Sequence, residues 1–187
     1  MNRLNGLACY LSGPIDFATD MGKSWRDEIT NFLEPKNVHV LNPLKHCFWG
    51  AQELDTVKRP RMKKLGEECR FDELRTEMKS VNHWDLRAVD LSSFLIVNYD
   101  NSVHMCGTYE EIFIANKQSK PVLFVLSCQR NKISSWMYGR FPPSHMFESW
   151  QELKYYLNRI DEEKNYQFTE ADNKRWLFFD GPHINIE

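Results

Sequence analysis

The sequence predicts an α/β fold, a parallel sheet of about five strands with helices on both faces. Two observations carry that prediction. Short apolar runs closed by turn residues alternate along the chain with segments of helical periodicity, the pattern of successive βαβ units. The run Phe94 to Val97 is continuously apolar, as expected of a central strand buried on both faces.

The elements follow in order. Leu7 to Leu11 is a short apolar run stopped by Ser12-Gly13-Pro14, a strand and its turn. Trp25 to Leu33 places Trp25, Ile29, Phe32 and Leu33 at helical spacing, and Val38 to Leu41 is a second strand closed by Asn42-Pro43. Leu44 to Phe71 is irregular and polar. Glu73 to Leu91 has helical character through Leu74, Met78, Val81 and Leu86, and leads into the strand at Phe94. Thr108 to Lys117 reads as a helix, Pro121 to Leu126 as a strand and Met146-Phe147 as a short last strand. Trp150 to Ile160 is amphipathic, with Leu153, Tyr156, Leu157 and Ile160 on one face. From about residue 161 a polar tail turns aromatic at Trp176-Leu177-Phe178-Phe179, apolar surface that has to dock on the core or on a neighbouring subunit.

Composition bounds the function. The chain has 187 residues, the size of one domain, and residues 1–187 read as such. Hydrophobic residues at 42% and aromatics at 13% exclude a disordered chain. A formal net charge of −2 argues against a dedicated nucleic-acid binder. No apolar run reaches the ~18 residues that span a membrane, and the first residues lack the pattern of a secretory signal. Five scattered cysteines, none in C-x-x-C spacing, fit free thiols in a reducing compartment, hence a cytoplasmic protein, and no zinc site. The six histidines show no H-x-x-x-H metal spacing, and no cofactor motif (GxGxxG, Walker A) is present.

Ligands of an open parallel sheet bind at the carboxyl ends of its strands, so the residues there are the candidates. Ser12, Gly13 and Pro14 follow the first strand, and Asn98, Tyr99, Asp100 and Ser102 the central one. Thr108 and Glu111 are spaced as a capping box, T-x-x-E. Glu111 therefore has two readings that the spacing leaves open. It caps its helix, or it is a carboxylate in a first turn whose dipole favours the ionised form of a nucleophile. Asp85 and Asp100 are further carboxylates near this edge, and Asp100 is equally a turn residue. Tyr10 ends the first strand, as a core or cleft-lining aromatic or a platform for a base. Lys58, Arg59, Arg61, Lys63 and Lys64 form a basic cluster, either a solvated face or an attractor for phosphate.

Taken together, five segments resemble the nucleoside 2-deoxyribosyltransferase family, whose relatives include nucleoside monophosphate N-glycosidases. They are Tyr10-Leu11-Ser12-Gly13-Pro14-Ile15, Trp25-Arg26, Asp85-Leu86-Arg87-Ala88-Val89-Asp90, Gly107-Thr108-x-x-Glu111-Ile112-x-x-Ala115 and Lys120-Pro121-Val122. The resemblance covers about residues 7 to 126 and implies a flavodoxin-like sheet. It implies Glu111 as the nucleophile, Asp85 and Asp100 as carboxylates holding base or sugar, and Tyr10 lining the site. Asn131 falls loosely where the family donates an asparagine to a neighbouring subunit. Ser12, Gly13, Pro14, Ser102, Gly107 and Thr108 complete the substrate-binding candidates. The implied activity is cleavage of the N-glycosidic bond of 2′-deoxynucleosides through a covalent glutamyl-deoxyribosyl intermediate, with the sugar passed to another base. The implied partners are a nucleoside or nucleotide and a free nucleobase, with a homodimer or higher homo-oligomer and no metal. Hydrolysis of (deoxy)nucleoside 5′-monophosphates is the alternative on the same fold. A non-catalytic nucleotide sensor is the alternative of another class.

Overall fold

The computed structural model describes residues 2–15, 18, 20–45 and 58–177, with the side chains of Lys58 and Arg59 outside that description. Its five strands are β1 (Ala8–Ser12), β2 (His39–Leu41), β3 (Phe94–Tyr99), β4 (Val122–Leu126) and β5 (Met146–Phe147). All four pairings are parallel, and the order is β2-β1-β3-β4-β5. This is the flavodoxin-like order, whose chain reverses direction between β1 and β3. The helices are α1 (Lys23–Leu33), α2 (Lys58–Glu67), α3 (Phe71–Leu91), α4 (Cys106–Lys117), α5 (Ser135–Tyr138), α6 (Trp150–Glu162) and α7 (Glu170–Arg175).

Right-handed crossovers that step in opposite directions from β1 put their helices on opposite faces. The core divides accordingly. Cys9, Leu11, Phe94, Ile96, Leu123 and Val125 pack against α1 and α6. The alternate residues Tyr10, Leu95, Val97, Tyr99, Phe124 and Leu126 pack against Val89 of α3 and Ile112 and Ala115 of α4. This two-residue alternation sends the side chains of Tyr10 and Ser12 to the α3–α4 side.

Most expected elements lie within two residues of their predicted bounds, and the exceptions have physical causes. The polar stretch from Leu44 to Phe71 contains helix α2, of which Met62 and Leu65 are buried and the rest is polar, too narrow a stripe to show periodicity. Residues 46–57 lie outside the description. The basic cluster is a helix face: Arg61 pairs with Glu77 of α3 at 2.8 Å, and Lys63 and Lys64 pair with Glu67 and Glu68 one turn on. The solvated-face reading accounts for those three residues.

The tail docks on its own core. Trp176 is buried, its ring centroid 5.1 Å from that of Phe94, and its indole Nε1 donates to the Tyr156 hydroxyl. That hydroxyl donates to Asp172 Oδ1 at 2.5 Å, and His145 Nε2 lies 3.0 Å from the same oxygen. Thr169 and Asp172 form the capping box that starts α7. Leu177 is exposed, and Phe178 and Phe179 lie outside the described residues. Cys9, Cys69, Cys106 and Cys128 are free thiols, and among the described residues no helix is long and apolar enough to cross a membrane.

Candidate active site

The carboxyl end of β1 meets α3 and α4 next to the point where the strand order reverses. Tyr10 and Ser12, two residues apart on one face of β1, both reach Glu111. The Tyr10 hydroxyl donates to Glu111 Oε1 at 2.9 Å, and the Ser12 hydroxyl donates to Oε2. Tyr10 is 1% exposed and Glu111 7%. Asp85 approaches from α3, near enough for its charge to act on both Tyr10 and Glu111. Four of the sequence-derived candidates thus converge: Tyr10, Ser12, Asp85 and Glu111.

The electrostatics are those of two carboxyls in one dry place. Burial pushes Glu111 up to about 8 and the Asp85 charge adds to the rise, while the hydrogen bonds from Ser12 and Tyr10 and the Arg26 charge oppose it. Burial also lifts Asp85 to about 6, against the Tyr10 hydrogen bond and Arg26. Two acids whose titrations interact lose their protons as a pair, so around neutral pH the pair holds one proton, mostly on Glu111, the weaker acid. Tyr10 is raised well above its ordinary value by burial and by both carboxylates, and stays a hydroxyl donor.

This geometry corrects the local reading of Glu111. Helix α4 begins at Cys106, two residues before Thr108, and its N-cap position, Met105, makes no side-chain cap bond. Thr108 lies inside the helix and is buried, so the T-x-x-E spacing closes no capping box. Glu111 falls in the second turn, beyond the reach of the first-turn dipole, and burial makes it a weaker acid rather than a stronger one. Gly107 and Thr108 stand four and three residues before Glu111, on its face of α4. Gly107 is exposed, and a Cβ there would meet nothing within 4 Å.

The remaining candidates sort by position. Gly13 and Pro14 continue directly from Ser12. A Cβ on Gly13 would come 3.1 Å from the Trp25 ring and 3.2 Å from the Asn98 backbone oxygen, so only glycine lets the chain leave β1 beside β3. Asp100 is engaged in its own turn: its Oδ1 accepts from the amide of Ser102 at 2.9 Å and from the Ser102 hydroxyl at 2.6 Å. That is the turn reading of Asp100, and it occupies Ser102 as well. Asn131 is exposed after β4, in a pocket lined by Ser127, Cys128, Arg130 and Glu148. Among the described residues no group of three His, Cys, Asp or Glu side chains is placed to hold a metal ion.

Arg26 was not among the sequence-derived candidates. Its signal is positional: 26, 29, 30 and 33 form the buried stripe of α1 together with Trp25, and a charge stands where periodicity calls for an apolar residue.

No protein-family model matches the chain, and no curated protein matches it by sequence. Solved structures do. A 2-deoxyribosyltransferase from Bacillus psychrosaccharolyticus is similar over 91% of this chain and 99% of its own, at 18% identity and a TM-score of 0.53. A 2-desoxiribosyltransferase from Leishmania mexicana is similar over 81% of this chain and 96% of its own, at 15% identity and a TM-score of 0.51. The Clostridium botulinum CMP N-glycosidase BcmB covers 82% of this chain and 98% of its own, at 15% identity and a TM-score of 0.47. The five-stranded parallel sheet of this chain is therefore the flavodoxin-like fold on which 2-deoxyribosyltransferases are built.

Proposed function

We propose that the chain is a nucleoside 2-deoxyribosyltransferase-like enzyme that cleaves the N-glycosidic bond of 2′-deoxynucleosides, with Glu111 as nucleophile. One observation carries the reading. A buried glutamate sits at the switch point of the sheet, both of its oxygens accept hydroxyl hydrogen bonds from β1, and the half-buried Asp85 carboxyl acts on it electrostatically. Two fixed donors leave little freedom to the carboxylate, the condition for attack at one defined carbon.

In this reading a Glu111 oxygen forms a bond to the anomeric carbon as the carbon–nitrogen bond to the base breaks, through an oxocarbenium-like transition state. The electron pair of the broken bond leaves with the base nitrogen. The productive protonation state has Glu111 ionised and the shared proton on Asp85, which supplies the proton that the departing base takes up. A nitrogen of an incoming base bonds to the anomeric carbon as the carbon–oxygen bond to Glu111 breaks, which returns the carboxylate, and the proton of that nitrogen goes back to the pair. Water in place of the base makes the reaction a hydrolysis.

The test incubates the protein with 2′-deoxynucleosides and their 5′-monophosphates, with and without a second base, and follows free and exchanged base by chromatography. Glu111→Gln should lower base release by orders of magnitude, and the wild type should carry a mass adduct of one deoxyribosyl unit that the variant lacks. Activity surviving the substitution removes Glu111 from the chemistry. Base release only from monophosphates, with no exchange, transfers the proposal to the hydrolase. Nucleotide binding without any free base makes the chain a sensor.

A further inference from the structure

We infer that Arg26 is a positioning residue of this site, a buried cation that clamps the backbone on either side of Ser12 and holds the end of β1 to the start of α1. The inference rests on the reading of Glu111 as nucleophile.

The geometry is specific. Arg26 is fully buried. Its Nε donates to the Leu11 carbonyl at 3.3 Å and its Nη2 to the Gly13 carbonyl at 2.8 Å. Those two carbonyls flank Ser12, the residue whose hydroxyl donates to Glu111. Its Nη1 donates to the carbonyls of Met21 and Gly22, both at 3.1 Å, where α1 begins. One side chain therefore fixes both ends of the connection between β1 and α1. Gly22 makes room for it: a Cβ there would stand 2.3 Å from Arg26 Nη1.

Packing alone does not account for a charge in this place. Taking a guanidinium out of water carries a large desolvation penalty, and an apolar side chain at the same point of the α1 stripe would fill the space without it. Carbonyl oxygens take four of the five guanidinium hydrogens and leave a net positive charge. That charge acts on Tyr10 of β1, Glu111 of α4 and Asp85 of α3, and on Asp20 in its own connection. The groups facing Glu111 are Tyr10 and Ser12 from β1, Asp85 from α3 and Arg26 from α1. Within that set Arg26 is the cation, and it opposes the rise of both carboxyls. It thus has two roles, orienting Ser12 and favouring the ionised nucleophile.

The experiment measures the Glu111 carboxyl directly. Carbon-13 carboxyl resonances of labelled protein are followed through a pH titration, and Glu111 is identified as the signal missing from Glu111→Gln. Arg26→Gln removes the charge and should move the Glu111 midpoint upward, because a positive charge that opposes its rise is lost. Arg26→Lys keeps a cation but loses the fork, so the midpoint should stay near that of the wild type while amide exchange at Gly13 and Gly22 quickens. Should Arg26→Gln not fold, Gly22→Ala displaces the guanidinium without removing it, and the midpoint should again rise. An unchanged midpoint in a folded Arg26→Gln or Gly22→Ala protein overturns the inference. The titration needs no substrate, so a wild type that releases no base sinks the catalytic reading alone.

Discussion

Replacing Glu111 by Gln should reverse its effect on stability between acid and alkaline pH. Burial and the Asp85 charge raise the Glu111 carboxyl from 4.5 to about 8. A carboxyl raised in the folded state contributes its full stability below the unfolded value, and that contribution is lost as pH climbs through the folded one. The window runs from about pH 4.5 to about pH 8. At 1.36 kcal/mol per pH unit, the whole gap sets a ceiling of about 5 kcal/mol, and coupling to Asp85 divides it between two groups, leaving on the order of 2 kcal/mol for Glu111. The glutamine amide of the variant accepts from one of Tyr10 and Ser12 and must donate to the other, a mismatch of about 1 kcal/mol. Glu111→Gln is then less stable than wild type by about 1 kcal/mol at about pH 5 and more stable by a similar amount at about pH 8. Urea unfolding of both proteins at several pH values measures the difference, in which other titrating groups largely cancel. A difference that does not change with pH refutes the electrostatic account of the site.

Three further outcomes follow from the same geometry. Gly107→Ala should raise the melting temperature, because alanine in a helix is favoured by about 0.5–1 kcal/mol and its methyl meets nothing; base release falling in that better-folded protein would show that a ligand needs the space, and unchanged release would free Gly107 of that role. Gly13→Ala should cost about 1–3 kcal/mol through contact with Trp25 and Asn98, read as a lower urea midpoint, and a midpoint equal to wild type would mean that the turn relaxes freely. Burial pushes the Asp172 carboxyl up, but hydrogen bonds from His145, Tyr156 and Thr169 win and hold it at about 2 against 3.8; Asp172→Asn should therefore lose roughly 2 kcal/mol at pH 7. That loss should shrink as pH falls from about 4 toward about 2, and a loss independent of pH would assign the effect to packing instead.

The sheet was legible because its information is local. Val122 to Leu126 is buried on both faces and reads as an unbroken apolar run, and the α6 face reads as a stripe. Helix α2 was not legible because, among its described side chains, Met62 and Leu65 alone are buried, and two residues define no period. At the site, residue identity was informative and local geometry was not. The T-x-x-E spacing is real in the sequence, yet the helix starts at Cys106, and spacing cannot say where a helix without a side-chain cap begins. Asp100 follows β3 as a ligand residue would, but its partner lies two residues on, and that contact is decided by a turn.

The difficulty with Glu111 is instructive about why such a site needs tertiary structure. A glutamate in the second turn of α4 gets almost nothing from its own helix, and burial alone would keep it protonated and unable to attack. What opposes burial comes from two other segments, hydroxyls at alternate positions of β1 and a guanidinium on α1, while the Asp85 carboxyl of α3 adds to the rise. All of these are distant from Glu111 in sequence, the nearest being Asp85. Strand alternation aims Tyr10 and Ser12 at one point, beside the reversal of strand order next to β1. The carboxylate is therefore tuned by the topology, and each tuning residue can be removed separately while Glu111 stays in place.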